Sequence, residues 1–417
     1  SSLIMAMRFV LVLLLGVASV LCARLQGSQL NEGQVLTVAP RDSDRFDTKA
    51  VAAPRVFFDS RRVLWVMYYY GKSFKFIEKH PDVTPLPTGY VGLAESADGI
   101  AWRRLDGPGE GGSVLAPATK KGAWDSAHVG VGDVMLSDDG KSKYTMYYFG
   151  GSLNDGLPSP SNASNTICGF PLRIGVATST DGLNWRRARK PLLELAPSEK
   201  GWSGEGWPQF VQLNETTSLL YYHSQANFSA PFVVTAAIHQ GKRGKWKRLD
   251  YPLLGAGPEG TYYSRGVGTR WVVANPNYNA SSPAANLSDA GRALTLSTSQ
   301  WWMFGESVAP SPNEHTISLF GSRDGFSWGS LYTLPVLMPR IGVKGAADSR
   351  FVGTPNAVVR NEGKEVWLYY VAVRQGEAED PFDVKETPFS IGLAICKIDG
   401  DKIDCERVPS PLVPQTE

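Results

Sequence analysis

The amino-acid sequence predicts an all-β chain: a five-bladed β-propeller with four antiparallel strands per blade, forming one domain over residues 24–417. Three observations predict it. One four-strand unit recurs five times, the composition favours short strands and turns, and the long connections fall at the same places in successive units.

The recurrence is plainest in five β-like segments: VGLAES at 91–96, IGVATS at 174–179, VVTAAI at 233–238, ISLFGS at 317–322 and IGLAIC at 391–396. Three of them run into Ser-x-Asp-Gly-x-x-Trp, ending at Trp102, Trp185 and Trp328. Asp-Gly supplies a tight turn and Trp opens the next strand. A Tyr-Tyr strand precedes four of the segments, with its pairs at Tyr68-Tyr69, Tyr147-Tyr148, Tyr221-Tyr222 and Tyr369-Tyr370. An apolar strand lies before each of those. Unit four departs from this pattern, and Arg270-Trp-Val-Val-Ala274 is its candidate second strand.

Composition agrees. The chain carries 12 Trp, 16 Tyr and 17 Phe beside 43 Gly and 28 Pro, the mixture expected of many short strands and turns. The net charge of +2 and the lack of a dense basic stretch argue against nucleic-acid binding. No glycine-rich phosphate loop, metal-ligand cluster or serine nucleophile elbow is present, so no cofactor and no metal is expected.

Within a unit, connections from strand one to two are short. Those from strand two to three are long, at 71–89, 150–172, 275–315 and 374–389, as are the links between blades, such as 106–130. In a meander both long classes emerge on one face. Long loops on a rigid scaffold are where binding and catalysis sit, so that face is the expected functional one.

The N-terminal region reads as an address. Met5-Ala6-Met7-Arg8 precedes an apolar run to Leu21 and then Cys22-Ala23, which predicts a signal peptide over residues 1–23. The alternative is a signal anchor, although the run is short for a membrane span. With the leader removed, no membrane span is expected. Glycosylation sequons at Asn162, Asn214, Asn227, Asn279 and Asn286 fit a secreted glycoprotein. A two-residue turn at Gly400-Asp401 would place Cys396 opposite Cys405 at a non-hydrogen-bonded pair, where a cross-strand disulfide fits. Cys168 is left without a partner.

Candidate chemistry comes from two kinds of position. Phe46-Asp47, Trp124-Asp125 and Ala347-Asp348 stand at one spacing before a first strand, so Asp47, Asp125 and Asp348 should be equivalent. They are either carboxylates converging on a sugar-hydrolysing site or caps that hold each loop. Residues that interrupt the repeat include Glu205 with Trp207, and Glu259 with Tyr263. A carboxylic acid beside an aromatic ring has its pKa raised toward general-acid use. Arg55, His128 and Asp133 lie on or near the innermost strands as candidate substrate contacts.

Asp348-Ser-x-x-Val-x-x-Pro355, Met67-Tyr-Tyr-x-Gly71 and Ile174-Gly-x-Ala-x-Ser-x-Asp-Gly-x-x-Trp185 together resemble the arabinanase/levansucrase/invertase superfamily of five-bladed glycosidases, including glycoside hydrolase families 43 and 32. The resemblance spans nearly all of residues 24–417. It implies an enzyme that hydrolyses O-glycosyl bonds of a polysaccharide or oligosaccharide with a channel Asp as base or nucleophile, a second Asp as pKa modulator and a Glu acid, and the N-terminal address makes it a secreted one. A non-catalytic carbohydrate-binding or interaction propeller is the alternative. In such enzymes the base often stands in an Asp-Pro pair; here that place reads Ala53-Pro54. Asp47 or Asp125 would then serve as base, with Glu205 or Glu259 as acid. The Ser-x-Asp-Gly turns lack the extra residue of sialidase Asp-boxes, which points away from a sialidase.

Overall fold

A computed structural model of the chain describes residues 32–409, apart from 85, 137–142, 160–164, 194–203, 228, 242–243, 279–293, 311–314 and 376–388. Five antiparallel sheets follow one another along it. Blade one holds Ala50–Asp59, Leu64–Lys72, Tyr90–Ser96 and Arg103–Leu105. Blade two holds His128–Leu136, Tyr144–Gly151, Arg173–Ser179 and Arg186–Arg187. Blade three holds Gly204–Gln212, Thr217–Gln225, Val233–Gln240 and Lys247–Arg248. Blade four holds Val267–Ala274, Trp301–Val308, His315–Ser322 and Gly329–Ser330. Blade five holds Phe351–Arg360, Glu365–Val373 and Phe389–Asp399, and its outer edge is shared by Lys402–Arg407 and the N-terminal Gln34–Leu36. Joining both ends of the chain to one strand closes the ring and leaves no long free edge there.

The repeated residues are explained by what they bond. In each Ser-x-Asp-Gly turn the serine hydroxyl accepts from the glycine N–H, and the aspartate accepts from the two following N–H groups. The tryptophan then donates to the glycine carbonyl. The first tyrosine of each Tyr-Tyr pair ties blades together: Tyr68 donates to Gly182 of blade two, Tyr221 to Gly325 of blade four and Tyr369 to Gly99 of blade one. Tyr147 instead stacks on Phe210, because blade three has no such turn. These apolar and aromatic faces are buried between blades, where most of the folding free energy arises.

The cysteine hairpin has the expected register, with Asp399 opposite Lys402 and Cys396 opposite Cys405, and the disulfide is present. Cys168 is a free, half-buried thiol. The disulfide closes a small loop, so replacing both cysteines by serine should lower stability by about 2–3 kcal/mol. Urea denaturation of the double variant checks this, and an unchanged midpoint would contradict it.

Blade four differs from the sequence expectation. Arg270–Ala274 belongs to the first, innermost strand, and Trp301–Val308 is the second. The Trp-Trp-Met-Phe run at 301–304 replaces Tyr-Tyr and hides the match. The long connection in this blade therefore joins strands one and two, so it leaves from the face opposite the other long loops. In the remaining blades the strand-one-to-two connections are short.

Every first strand carries a register irregularity at the same level: Ala52/Arg55, Val131/Asp133, Gly206/Gln209, Val267/Arg270 and Gly353/Asn356. Ala53, Trp207 and Thr354, at these bulges, adopt positive φ. A bulge re-aims the next side chain. Arg55, Asp133, Gln209, Arg270 and Asn356 thereby form one ring of buried polar residues around the axis.

Candidate functional site

The axial ring is first of all a clasp between blades. The Asn356 side-chain oxygen accepts from Val56 N (2.9 Å), Asp133 from Phe210 N (3.0 Å), and the Gln209 amide both donates to and accepts from Val272 at 2.8 Å. Arg55 donates to the carbonyls of Gly132, Pro54 and Pro355. Burial raises the Asp133 carboxyl to about 6 against the pull of Arg55, and lowers Arg55 to about 10.

A second layer adjoins the bulges. Trp207 of blade three reaches past blade two and donates from Nε1 to the Tyr70 hydroxyl of blade one at 2.9 Å. Its ring lies 4.3 Å from Phe149 and 4.5 Å from His223. In blade four, Glu306 accepts from Thr354 N (2.9 Å) and the Thr269 hydroxyl, and pairs with His315 Nδ1 at 2.7 Å. Burial works against the Glu306 charge, but the His315 and Thr269 contacts outweigh it and hold the carboxyl below the usual range. Glu306 also acts electrostatically on Tyr70 and His223, so residues from blades one, three, four and five converge here.

The sequence-predicted carboxylates occupy a different place. Asp47 accepts from Tyr69 (2.8 Å) and Arg104 (2.7 Å), with Arg45 at 3.2 Å. Asp125 accepts from Tyr148 (2.9 Å) and Arg187 (2.8 Å). Asp348 pairs with Arg340 and Arg407, each at 2.6 Å, and Glu205 with Arg248 at 2.8 Å. All four carboxylates are buried. Arg104, Arg187, Arg248 and Arg407 lie on outer strands, each opposite the alanine at one register position: Ala94, Ala177, Ala237 and Ala394. The glycine two residues before the alanine makes room for the ring preceding the aspartate. A Cβ on Gly92 would stand 2.4 Å from Phe46, and one on Gly175 2.6 Å from Trp124. The four carboxylates thus belong to a latch that runs across blades one, two, three and five, from the start of the first strand to the outermost one, and Glu205 is its blade-three member.

The other sequence-predicted residues separate. Glu259 is exposed in the loop before blade four. His128 is fully buried between the Thr88 hydroxyl (3.0 Å) and the Gly169 carbonyl (3.1 Å), and burial lowers it to about 4, so it is neutral at physiological pH. Asn214 and Asn227 are exposed. Asn162, Asn279, Asn286 and the predicted signal peptide lie outside the described residues. Glu306, His315 and Arg270 are not singled out by the sequence: Glu306 and the whole of its strand, Trp301–Val308, fall inside the stretch 275–315 expected to be a long connection. The signal that could have found them is the apolar run at 301–304, which fits the Tyr-Tyr position.

Two further features lie apart from these clusters. Lys72 is buried, donates to the Thr84 carbonyl (3.2 Å), and is lowered by burial and by Lys49 to about 7. On the opposite face a groove of about 570 Å³ is lined by Phe57, Phe58, Trp65, Trp271 and Arg360, among others. Among the described residues no cluster of metal-ligating side chains occurs, and no helix is long and apolar enough to cross a membrane.

No family model and no curated protein sequence matches the chain. Solved structures do. A structure titled glycoside hydrolase aligns at TM-score 0.55 and 16% identity, covering 94% of this chain and 98% of that one. A thermostable family-43 glycoside hydrolase aligns at 0.54 and 12%, covering 88% and 95%. A Bombyx mori GH32 β-fructofuranosidase aligns at 0.53 and 11%, covering 90% of this chain and 65% of that one. At such identities the likeness establishes architecture: this chain has the five-bladed propeller fold of the family-43 and family-32 glycoside hydrolases.

Proposed function

We propose that the protein is a secreted, carbohydrate-active propeller that hydrolyses a polysaccharide or oligosaccharide at the axial mouth on the long-loop face. The observation that carries this reading is the fold, shared over about nine tenths of the chain with glycosidases. The hydrophobic N-terminal run, the sequons and the Cys396–Cys405 disulfide support a secretory route. The latch arginines already neutralise Asp47, Asp125, Asp348 and Glu205, which leaves them poorly suited to proton transfer. Glu306, held ionised beside His315, has the charge needed to stabilise an oxocarbenium-like transition state, and Glu259, in the loop before blade four, is the sequence-predicted acid that no latch arginine holds.

An activity screen on nitrophenyl glycosides and polysaccharides tests this, with Glu306→Gln and Glu259→Gln alongside. Loss of each group should lower kcat by about 10²–10⁴-fold. Wild-type rates in both variants would remove these assignments.

Ala53 favours a second reading. It occupies the bulge where the resemblance places a catalytic carboxylate, and its methyl group can do no acid–base work. The protein would then bind carbohydrate without cleaving it. Saturable binding of an oligosaccharide, with no turnover of any substrate in the screen, selects that reading.

A further inference from the structure

The axial ring holds an imbalance that the protein atoms do not resolve. Arg270 is fully buried, and Nε, Nη1 and Nη2 all lack a hydrogen-bond partner. Arg55 Nη2 and Asn356 Nδ2, on the same ring, are also buried and unpartnered. Each of these five atoms is a donor. Asn356 Oδ1 takes the Val56 N–H, Asp133 Oδ2 the Phe210 N–H and Gln209 Oε1 the Val272 N–H, and none of these acceptors reaches Arg270. Unpaired buried donors are costly, and a buried guanidinium without a counter-charge more so.

Charge points the same way. Arg55 and Arg270 bring two positive charges to the ring and Asp133 brings one negative. Each arginine feels the other or Asp133, and Arg55 also lies 4.6 Å over the ring of Trp271, the residue after Arg270. Within the ring itself one positive charge is left over, because the neighbouring Glu306 carboxylate is taken up by Thr269, His315 and Thr354.

We propose that the axial ring is a built site for one small monovalent anion of the chloride type, held by Arg270 with Arg55 and Asn356. The remaining single positive charge sets the valence, and the neighbouring Asp133 carboxylate disfavours a divalent oxyanion. The anion completes the clasp at the blade-four position, where Arg270 stands in place of the Asp, Gln and Asn that reach the next blade directly. Its role is structural and independent of any carbohydrate chemistry at the mouth.

Crystals of the mature chain grown in chloride and soaked in bromide test this directly. The expected result is an anomalous bromide peak within hydrogen-bonding distance of the Arg270 guanidinium. Water alone at that place, or bromide bound only elsewhere, overturns the proposal. In solution, thermal midpoints are compared in chloride and in gluconate at equal ionic strength. Above the dissociation constant, each tenfold rise in chloride should raise the folding equilibrium constant by about tenfold. Arg270→Gln should abolish that dependence, whereas Arg265→Gln, on the exposed loop, should retain it. If Arg270→Gln does not fold, Arg55→Gln serves the same comparison. Equal midpoints in the two salts would also overturn the proposal.

Discussion

Asp47→Ala should destabilise the protein by about 3–5 kcal/mol, because it leaves Arg104 nearly buried beside Arg45 with no carboxylate between them. The loss exceeds that of an ordinary surface ion pair, which contributes only about 0–1 kcal/mol. Two features set the larger size: the carboxylate is wholly buried, and it also accepts from the Tyr69 hydroxyl. Asp348→Ala should cost a similar amount, since it removes the buried carboxylate that Arg340 and Arg407 share, leaving Arg340 its longer contact to Glu32. Urea denaturation with an unchanged m-value measures this. The same variants separate framework from chemistry. If Asp47→Ala keeps wild-type stability but loses carbohydrate turnover, the latch reading fails and Asp47 returns as a catalytic candidate.

Acidification should begin to destabilise the protein above the range of ordinary carboxylate titration. His128 and His223 are lowered by burial to about 4 and about 3 in the folded chain, against about 6.5 in the unfolded one. Below pH 6.5 the unfolded chain takes up protons that the folded chain refuses, so stability present above that pH is lost as pH falls toward 4 and then 3. Glu306, also lowered, adds to the loss at the acid end. Asp133 acts in the opposite sense. Its folded pKa of about 6 lies above its unfolded value, so its contribution is present at low pH and lost as pH rises through 6. Two histidines, each displaced further than this one carboxyl, outweigh it. At about 1.4 kcal/mol per pK unit, the net fall between pH 6.5 and 4 reaches several kcal/mol at most. The unfolding midpoint followed from pH 7 to 4 reports it, and His128→Gln should flatten the curve. A pH-independent midpoint across that range would contradict the account.

The repeat was legible because each of its residues has a local job. Ser-x-Asp-Gly-x-x-Trp forms its turn from bonds within seven residues, so it reads the same in three blades. The Cys396–Cys405 pairing was legible for a similar reason: a two-residue turn sets the whole register of its hairpin. Blade four was misread because its second strand carries Trp301 and Trp302 where a tyrosine pair was sought. Tertiary burial accepts either, since both fill the same inter-blade face.

The sequence by itself determined the five-bladed architecture, the four-strand order within a blade and the disulfide. All of these rest on periodicity and short-range turn geometry. Only the tertiary structure decided what the polar residues do. Asp47, Asp125, Asp348 and Glu205 meet their arginines across four strands of a blade, and Glu205 joined that set although its spacing differs. Arg55, Asp133, Gln209, Arg270 and Asn356 come from five different blades and share neither residue type nor motif. A shared bulge aims them at one axis, and the charge balance they create there exists only once the ring has closed.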